Sequence, residues 1–166
     1  MQLIYRHAML NDLEKISELV RFAVMQMDRQ GIKQWDELYP TSEDFEKDIE
    51  KKHLYVGQVH DEIAVIFVLN QEYDKEYKNG TWKKPEKPFY VVHRLCVHPR
   101  FQNKGVARQA MKYIENIVAL DGGQAVRLDV FSQNPHALRL YQQCGYQKVG
   151  MAKWRKGFFY LMEKYL

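Results

Sequence analysis

Arg100-Phe101-Gln102-Asn103-Lys104-Gly105-Val106-Ala107 joins an apolar strand to a helix, and its residue types suit the capture of an anion. The strand before it reads Phe89-Tyr90-Val91-Val92-His93-Arg94-Leu95-Cys96-Val97 and closes at Pro99; after it, Val106, Ala110, Met111, Ile114, Ile117 and Val118 recur at helical spacing. A turn that opens a helix offers backbone N–H groups with no partner inside the helix, at the positive end of its dipole. Gly105 has no Cβ, so a ligand can approach the backbone closely. Arg100, Lys104 and Arg108 add positive charge, and the expected ligand is a phosphate. A P-loop is excluded, because no G-x-x-x-x-G-K-[ST] run exists; a dinucleotide fingerprint is excluded, because Gly105 stands alone and late in the chain.

A second segment follows about 30 residues on (a spacing typical of one strand–helix unit): Asn134-Pro135-His136-Ala137-Leu138-Arg139-Leu140-Tyr141-Gln142-Gln143-Cys144-Gly145-Tyr146. Asn134 is suited to cap a helix and Pro135 to its first position, with Gly145 as a left-handed stop. Gln102, Gly105 and Ala107 fit Q-x-x-G-x-A, and this loop resembles the [QR]-x-x-G-x-[GA] pyrophosphate loop of the GCN5-related N-acetyltransferases, the GNAT superfamily. The second segment resembles that family's N-x-x-A-x-x-L-Y-x-x-x-G-[FY] element, and the two occur in the family's order around the strand Ala125–Phe131. The detailed resemblance covers residues 89 to 150; elsewhere only the layout agrees. Ala107 stands where many members have a second glycine, and no acidic residue occupies the last strand positions before Leu95, so the carboxylate base of some members is missing.

The resemblance implies acetyl transfer from acetyl-CoA to a primary amine, by direct attack within a ternary complex. It assigns CoA binding to Leu95, Cys96 and Val97, whose strand backbone would pair with the pantetheine arm and polarise the thioester carbonyl through a free N–H. It also assigns to CoA the loop Gln102, Asn103, Lys104, Gly105, Val106, Ala107 and Arg108, with Asn134 on the pantetheine amides. Tyr141 matches the tyrosine beside the CoA sulfur and is the candidate acid for the departing thiolate; its alternative is aromatic packing. An attacking amine must first lose a proton. His93 is the candidate base: two residues before Leu95, it falls on the same face by strand alternation, and an imidazole takes a proton near neutral pH. Tyr90, Asp36 and Glu37 are the other candidates, and ordered water would make a base unnecessary.

Recognition of the acceptor is expected of Ile32–Pro40. Trp35 and Tyr39, with Glu37 and Asp36, combine aromatic faces with negative charge, which suits a cation; core packing is the alternative for Trp35. The acceptor is a small-molecule or peptide amine. A non-catalytic acyl-CoA-binding sensor of the same fold is the alternative function. The histidines show no zinc spacing, and no metal is expected.

These groups need elements to hold them. Leu3–Arg6 reads as a short strand, and Asn11 or Asp12 as the cap of a helix running to Arg29, ended by Gly31. Thr41 or Ser42 caps a second helix to Lys52. Strands are expected at 54–59 and 63–71, and the lysine-rich stretch 73–88 as an exposed hairpin loop. A strand at 146–149, a turn through 150–157 and a strand at 158–164 complete the chain. The expected fold is a mixed α/β domain, GNAT-like: one mostly antiparallel sheet of six or seven strands flanked by about four helices, in a single domain over residues 1–166.

The bulk properties agree. The chain has 166 residues, 46% of them hydrophobic, enough for a real core and against disorder. A formal charge of +4, with basic residues interleaved with acids, does not point to nucleic acid. Two cysteines do not make a disulfide framework. With no secretory pattern and no apolar run of bilayer length, a cytoplasmic monomer or homodimer without membrane contact is the expectation.

Overall fold

The computed structural model describes all of residues 1–166. Four α-helices accompany a seven-stranded sheet in the order β1-β2-β3-β4-β5-β7-β6. The chain forms two compact units, Met1–Leu69 with Arg94–Ala110, and Asn70–His93 with Met111–Leu166.

In the first unit, β1 (Ile4–His7), β2 (Leu54–Val59) and β3 (Glu62–Asn70) pair antiparallel, with Tyr5 opposite Gly57 and Val56 opposite Ile66. A side chain at Gly57 would not fit, since a Cβ there would lie 2.7 Å from Val65 and 2.8 Å from Tyr5. Helix α1 (Leu13–Arg29) buries Ile16, Leu19, Val20 and Ala23, which recur at helical spacing on one face. Gly31, at φ +76°, ends it. Helix α2 (Ser42–Glu50) starts in a capping box: Asp44 N–H donates to Thr41 Oγ1, and Thr41 N–H to Asp44 Oδ2. Phe45 and Ile49 join the α1 stripe, Leu54, Val56, Ile66, Val68 and Cys96 in one core. Asp12 departs from its expected capping role. It is buried and accepts from both Arg6 Nη atoms, at 2.8 and 2.9 Å, and from Met9 N–H, so a short 3-10 turn at Leu10–Asp12 precedes α1.

The second unit is built on β5 (Ala125–Phe131), which lies parallel to the first residues of β4 (Phe89–Val97), Phe89 opposite Ala125. On its other side β5 pairs antiparallel with β7 (Gly157–Tyr165), which in turn pairs with β6 (Gln147–Trp154). Helix α4 is Pro135–Gln143; α3 (Val106–Leu120) opens in the first unit and continues from Met111 in the second. The long turn expected at 150–157 is strand instead, and the hairpin turns at Arg155–Lys156. Gly150 serves a close approach, not a turn: a Cβ there would lie 2.8 Å from the carbonyl oxygen of Asn79.

The stretch 73–88 also departs from expectation. Tyr77 is 3% exposed and packs with Trp82 and Trp154 against Ala152 and Leu161. Its hydroxyl donates to Asp129 at 2.7 Å, and the Trp82 indole donates to the Tyr77 carbonyl. Lys75, Lys78, Lys83 and Lys84 face solvent while Tyr77 and Trp82 anchor the stretch to β5, β6 and β7, a division that net composition hides. Under this cover lies Arg127, its guanidinium between the rings of Trp82 and Phe89 at 4.1 and 3.7 Å.

Candidate active site

The turn ahead of α3 has the backbone of an anion site. Asn103 and Gly105 both lie in the left-handed region, at φ +60° and +76°. Asparagine tolerates that conformation and glycine adopts it without strain. Gln109 N–H donates to the Gly105 carbonyl, so α3 starts at a residue with no side chain to cap the first turn. That turn contains no acidic residue, so the positive dipole end has no carboxylate of its own. A Cβ built on Gly105 meets nothing within 4 Å, so the space over the turn is open. Gln102 faces the other way: its Nε2 donates to the Val97 carbonyl at 3.2 Å and ties the loop to the end of β4. Lys104 and Arg108 are exposed beside the turn. Arg100 pairs with Glu62 at 3.3 Å. His98 caps the turn Pro99–Phe101 by accepting from Arg100 N–H, and burial followed by the Arg100 charge lowers its pKa.

In the same unit β4 ends in Leu95, Cys96 and Val97. Leu95 and Val97 are half-buried; Cys96 is buried, and burial pushes its thiol up to about 12, which makes it inert as a nucleophile. Immediately before them Arg94 is left-handed, at φ +51°. Side-chain alternation therefore does not carry across Arg94, and does not set His93 and Leu95 on one face as expected. Arg94 Nη2 and Nε donate to Asp48 Oδ2, at 2.7 and 3.2 Å, and its Nη1 donates to the Tyr39 hydroxyl at 2.7 Å. Burial lifts the Asp48 carboxyl above the usual carboxylate range, against the pull of the guanidinium. Of the residues expected at the acceptor, Trp35 lies in the core at 8% exposed, Glu37 is exposed, and Tyr39 is 40% exposed with its hydroxyl on Arg94.

The second unit holds His93, Asn134 and Tyr141. His93 Nε2 lies 2.8 Å from Asn70 Oδ1 and 3.0 Å from the Glu72 carbonyl. Asn70 Oδ1 also accepts from Glu72 N–H, so it is an acceptor toward the imidazole too. Both partners thus call for a proton on Nε2, and in the neutral ring Nδ1 is the basic nitrogen. Asn134 caps α4, its Oδ1 accepting from Ala137 N–H at 3.1 Å with Pro135 at the first position. Tyr141 is buried at 8% exposed, edge-on to Tyr146 with ring centres 6.1 Å apart. The Tyr146 hydroxyl donates to Glu115 Oε2 on α3, and Lys164 on β7 donates to Glu115 Oε1. Burial, then Glu115, raises the Tyr146 hydroxyl far above its ordinary pKa, so it stays protonated.

Arg94, Asp48 and Glu115 were not singled out by the sequence. Arg94 and Asp48 stand 46 positions apart, and neither charge belongs to a local pattern. The one available signal was an arginine inside an otherwise apolar strand.

No three His, Cys, Asp or Glu side chains are grouped to hold a metal ion, and no helix is long and apolar enough to cross a membrane. The family model of the acetyltransferase (GNAT) family matches residues 16–146. The chain is 32% identical over 111 residues to the spermine/spermidine N(1)-acetyltransferase of Bacillus subtilis, covering 63% of this chain and 67% of that one. A GNAT-family acetyltransferase of Streptococcus agalactiae superposes with a TM-score of 0.85 at 21% identity, over 99% of this chain and 95% of that one. The PaiA N-acetyltransferase of Thermoplasma acidophilum, solved in complex with coenzyme A, gives 0.74 at 16% identity over all of both chains.

Proposed function

The chain belongs to the acetyltransferase (GNAT) family, an acetyl-CoA-dependent N-acetyltransferase, and on that premise we propose that it acetylates a primary amine by direct attack on the bound thioester. One observation carries the reading: the turn at Gly105, left-handed, uncapped, free of acid and open above its backbone. The N–H groups of Val106, Ala107 and Arg108 receive the pyrophosphate, with Lys104 and Arg108 as counter-charges. Asn103 shapes the turn and Gln102 holds it against Val97.

Acetyl-CoA supplies an activated acyl group. The chain must lower the barrier to its transfer. Backbone N–H groups of Leu95, Cys96 and Val97 are the donors to the carbonyl oxygen, a role needing no side-chain chemistry and consistent with the inert Cys96 thiol. His93 takes the amine proton on Nδ1, because its Nε2 proton is committed to Asn70 and Glu72. Tyr141 returns a proton to the thiolate, and Asn134 orients the pantetheine arm; both roles rest on the match of their segment to the family element. Tyr39 and Glu37 shape the acceptor side, while Trp35 packs in the core behind them. The exposed Glu37 carboxylate and the accessible Tyr39 ring suit a cationic amine, and the relative named for spermine and spermidine makes polyamines the first acceptors to try.

Calorimetric titration with acetyl-CoA, followed by free-thiol release across polyamines, amino acids, aminoglycosides and peptide amines, tests this. Binding with release on one amine class is the expected result. Binding without release on any amine favours an acyl-CoA sensor, and no binding removes the reading.

A further inference from the structure

Four non-glycine residues have positive φ: Lys52, His60, Asn103 and Arg94. The first three lie in turns, where a left-handed residue reverses the chain. Arg94 lies inside a strand that continues from Phe89 to Val97 on both sides of it. For a long side chain this conformation is strained, and such strain persists only where the surroundings impose it. The surroundings here are specific. Three N–H groups of the guanidinium are engaged at once: two on Asp48 Oδ2 near the end of α2, and one on the Tyr39 hydroxyl in the connection after α1. The side chains of Arg94 and Asp48 are only 16% and 10% exposed. A planar fork held at two ends has one position, so the backbone that carries it has little freedom.

We propose that Asp48 and Tyr39 act through Arg94 as positioning residues: they hold it left-handed, and this turns the following peptides so that the N–H groups of Leu95–Val97 point at the thioester carbonyl. The inference rests on the reading of that strand as the carbonyl's donor. A left-handed residue rotates the next peptide out of the ladder direction, freeing an N–H that a regular strand would give to its neighbour. Tyr39 thereby gains a task separate from acceptor binding: its hydroxyl sets the reaction strand while its ring stays accessible.

The test uses acetyl-CoA labelled with carbon-13 at the acetyl carbonyl, bound to the full chain and read by infrared difference spectroscopy, which needs no acceptor. In the wild type the thioester stretch shifts to lower frequency on binding. Arg94→Ala is expected to bind acetyl-CoA and lose most of that shift. Arg94→Gly is expected to recover it, because glycine adopts the left-handed conformation without a clamp. A purely stabilising ion pair predicts the reverse order, since glycine weakens a strand further. Tyr39→Phe and Asp48→Asn should each lose part of the shift, and they decide the matter if Arg94→Ala does not fold. An unchanged frequency in variants that bind acetyl-CoA, or Arg94→Gly behaving no better than Arg94→Ala, overturns the proposal. A wild type that binds without any shift overturns the donor-strand assignment and the clamp with it while leaving acetyl-CoA binding intact; a wild type that does not bind overturns both.

Discussion

Replacing Gly105 by glutamate separates the backbone demand of the turn from the charge demand of its ligand. The backbone part follows from φ +76°: any L-residue there costs about 1–2 kcal/mol. No atom within 4 Å meets a Cβ, so no clash adds to this. For a chain of this length each kcal/mol lowers Tm by about 2–4 °C, and Gly105→Ala and Gly105→Glu should lose similar amounts. The ligand part belongs to glutamate alone. A carboxylate about 4 Å from a phosphate costs between ~1 kcal/mol in bulk water and ~4 kcal/mol near a protein surface. Gly105 is exposed, so the lower half of that range applies at physiological salt. Affinity for acetyl-CoA should fall roughly 5- to 60-fold from repulsion alone, and further where the side chain occupies the phosphate's space. Titration calorimetry at two salt concentrations measures it: the deficit of Gly105→Glu should shrink as salt rises, while that of Gly105→Ala should not. Wild-type affinity in Gly105→Glu would refute the assignment of this turn to the pyrophosphate. Equal losses in the two variants would mean that backbone strain, not charge, had been measured.

Tyr141→Phe should lower turnover about 100-fold with little change in acetyl-CoA affinity; an unchanged rate leaves Tyr141 a packing residue against Tyr146. His93→Gln keeps a donor for the Asn70 and Glu72 oxygens but has no basic nitrogen, so a similar fall in kcat is expected, and none at all would route the proton through water. Asp12 is held below the usual carboxylate range by hydrogen bonds from Arg6, burial opposing them. Its stabilisation is therefore present above the unfolded-state pKa and lost as pH falls through the folded one. Denaturant titrations of Asp12→Asn should show a deficit of about 1–3 kcal/mol at pH 7 that closes below roughly pH 4; a pH-independent deficit contradicts the ionic account.

The parts legible in the sequence are those whose signals are local. Strands β4 and β5 are mostly apolar, α3 has a helical stripe, and the Gly105 turn and the Asn134 cap are written in a few adjacent residues. What escaped depends on partners that no local pattern announces. Gly150 looked like a turn because the Asn79 carbonyl that presses on it is about 70 residues away. Asp12 looked like a cap, since nothing near it reveals that Arg6 claims both its oxygens. Tyr77 hides among lysines whose charges dominate the composition of its stretch. Arg94 broke the strand alternation on which His93 had been placed, and no local pattern foretells a left-handed arginine. The candidate site was thus readable as a set of residues more than as a geometry.

The stretch that carries Tyr77 also settles what can happen at β6, the last strand of the sheet order. Thr81 N–H donates to the Val149 carbonyl at 2.7 Å and Asn79 Nδ2 to the Met151 carbonyl at 3.2 Å. The Val149 and Met151 carbonyls on that margin are thus occupied by the chain's own backbone and amide. A second molecule cannot pair with these two carbonyls without first peeling away a segment anchored by Tyr77 and Trp82. The lysine-rich stretch is in this sense a selvedge: it finishes the cloth so that copies of the protein, crowded together, have no loose thread at Val149 and Met151 to knit onto.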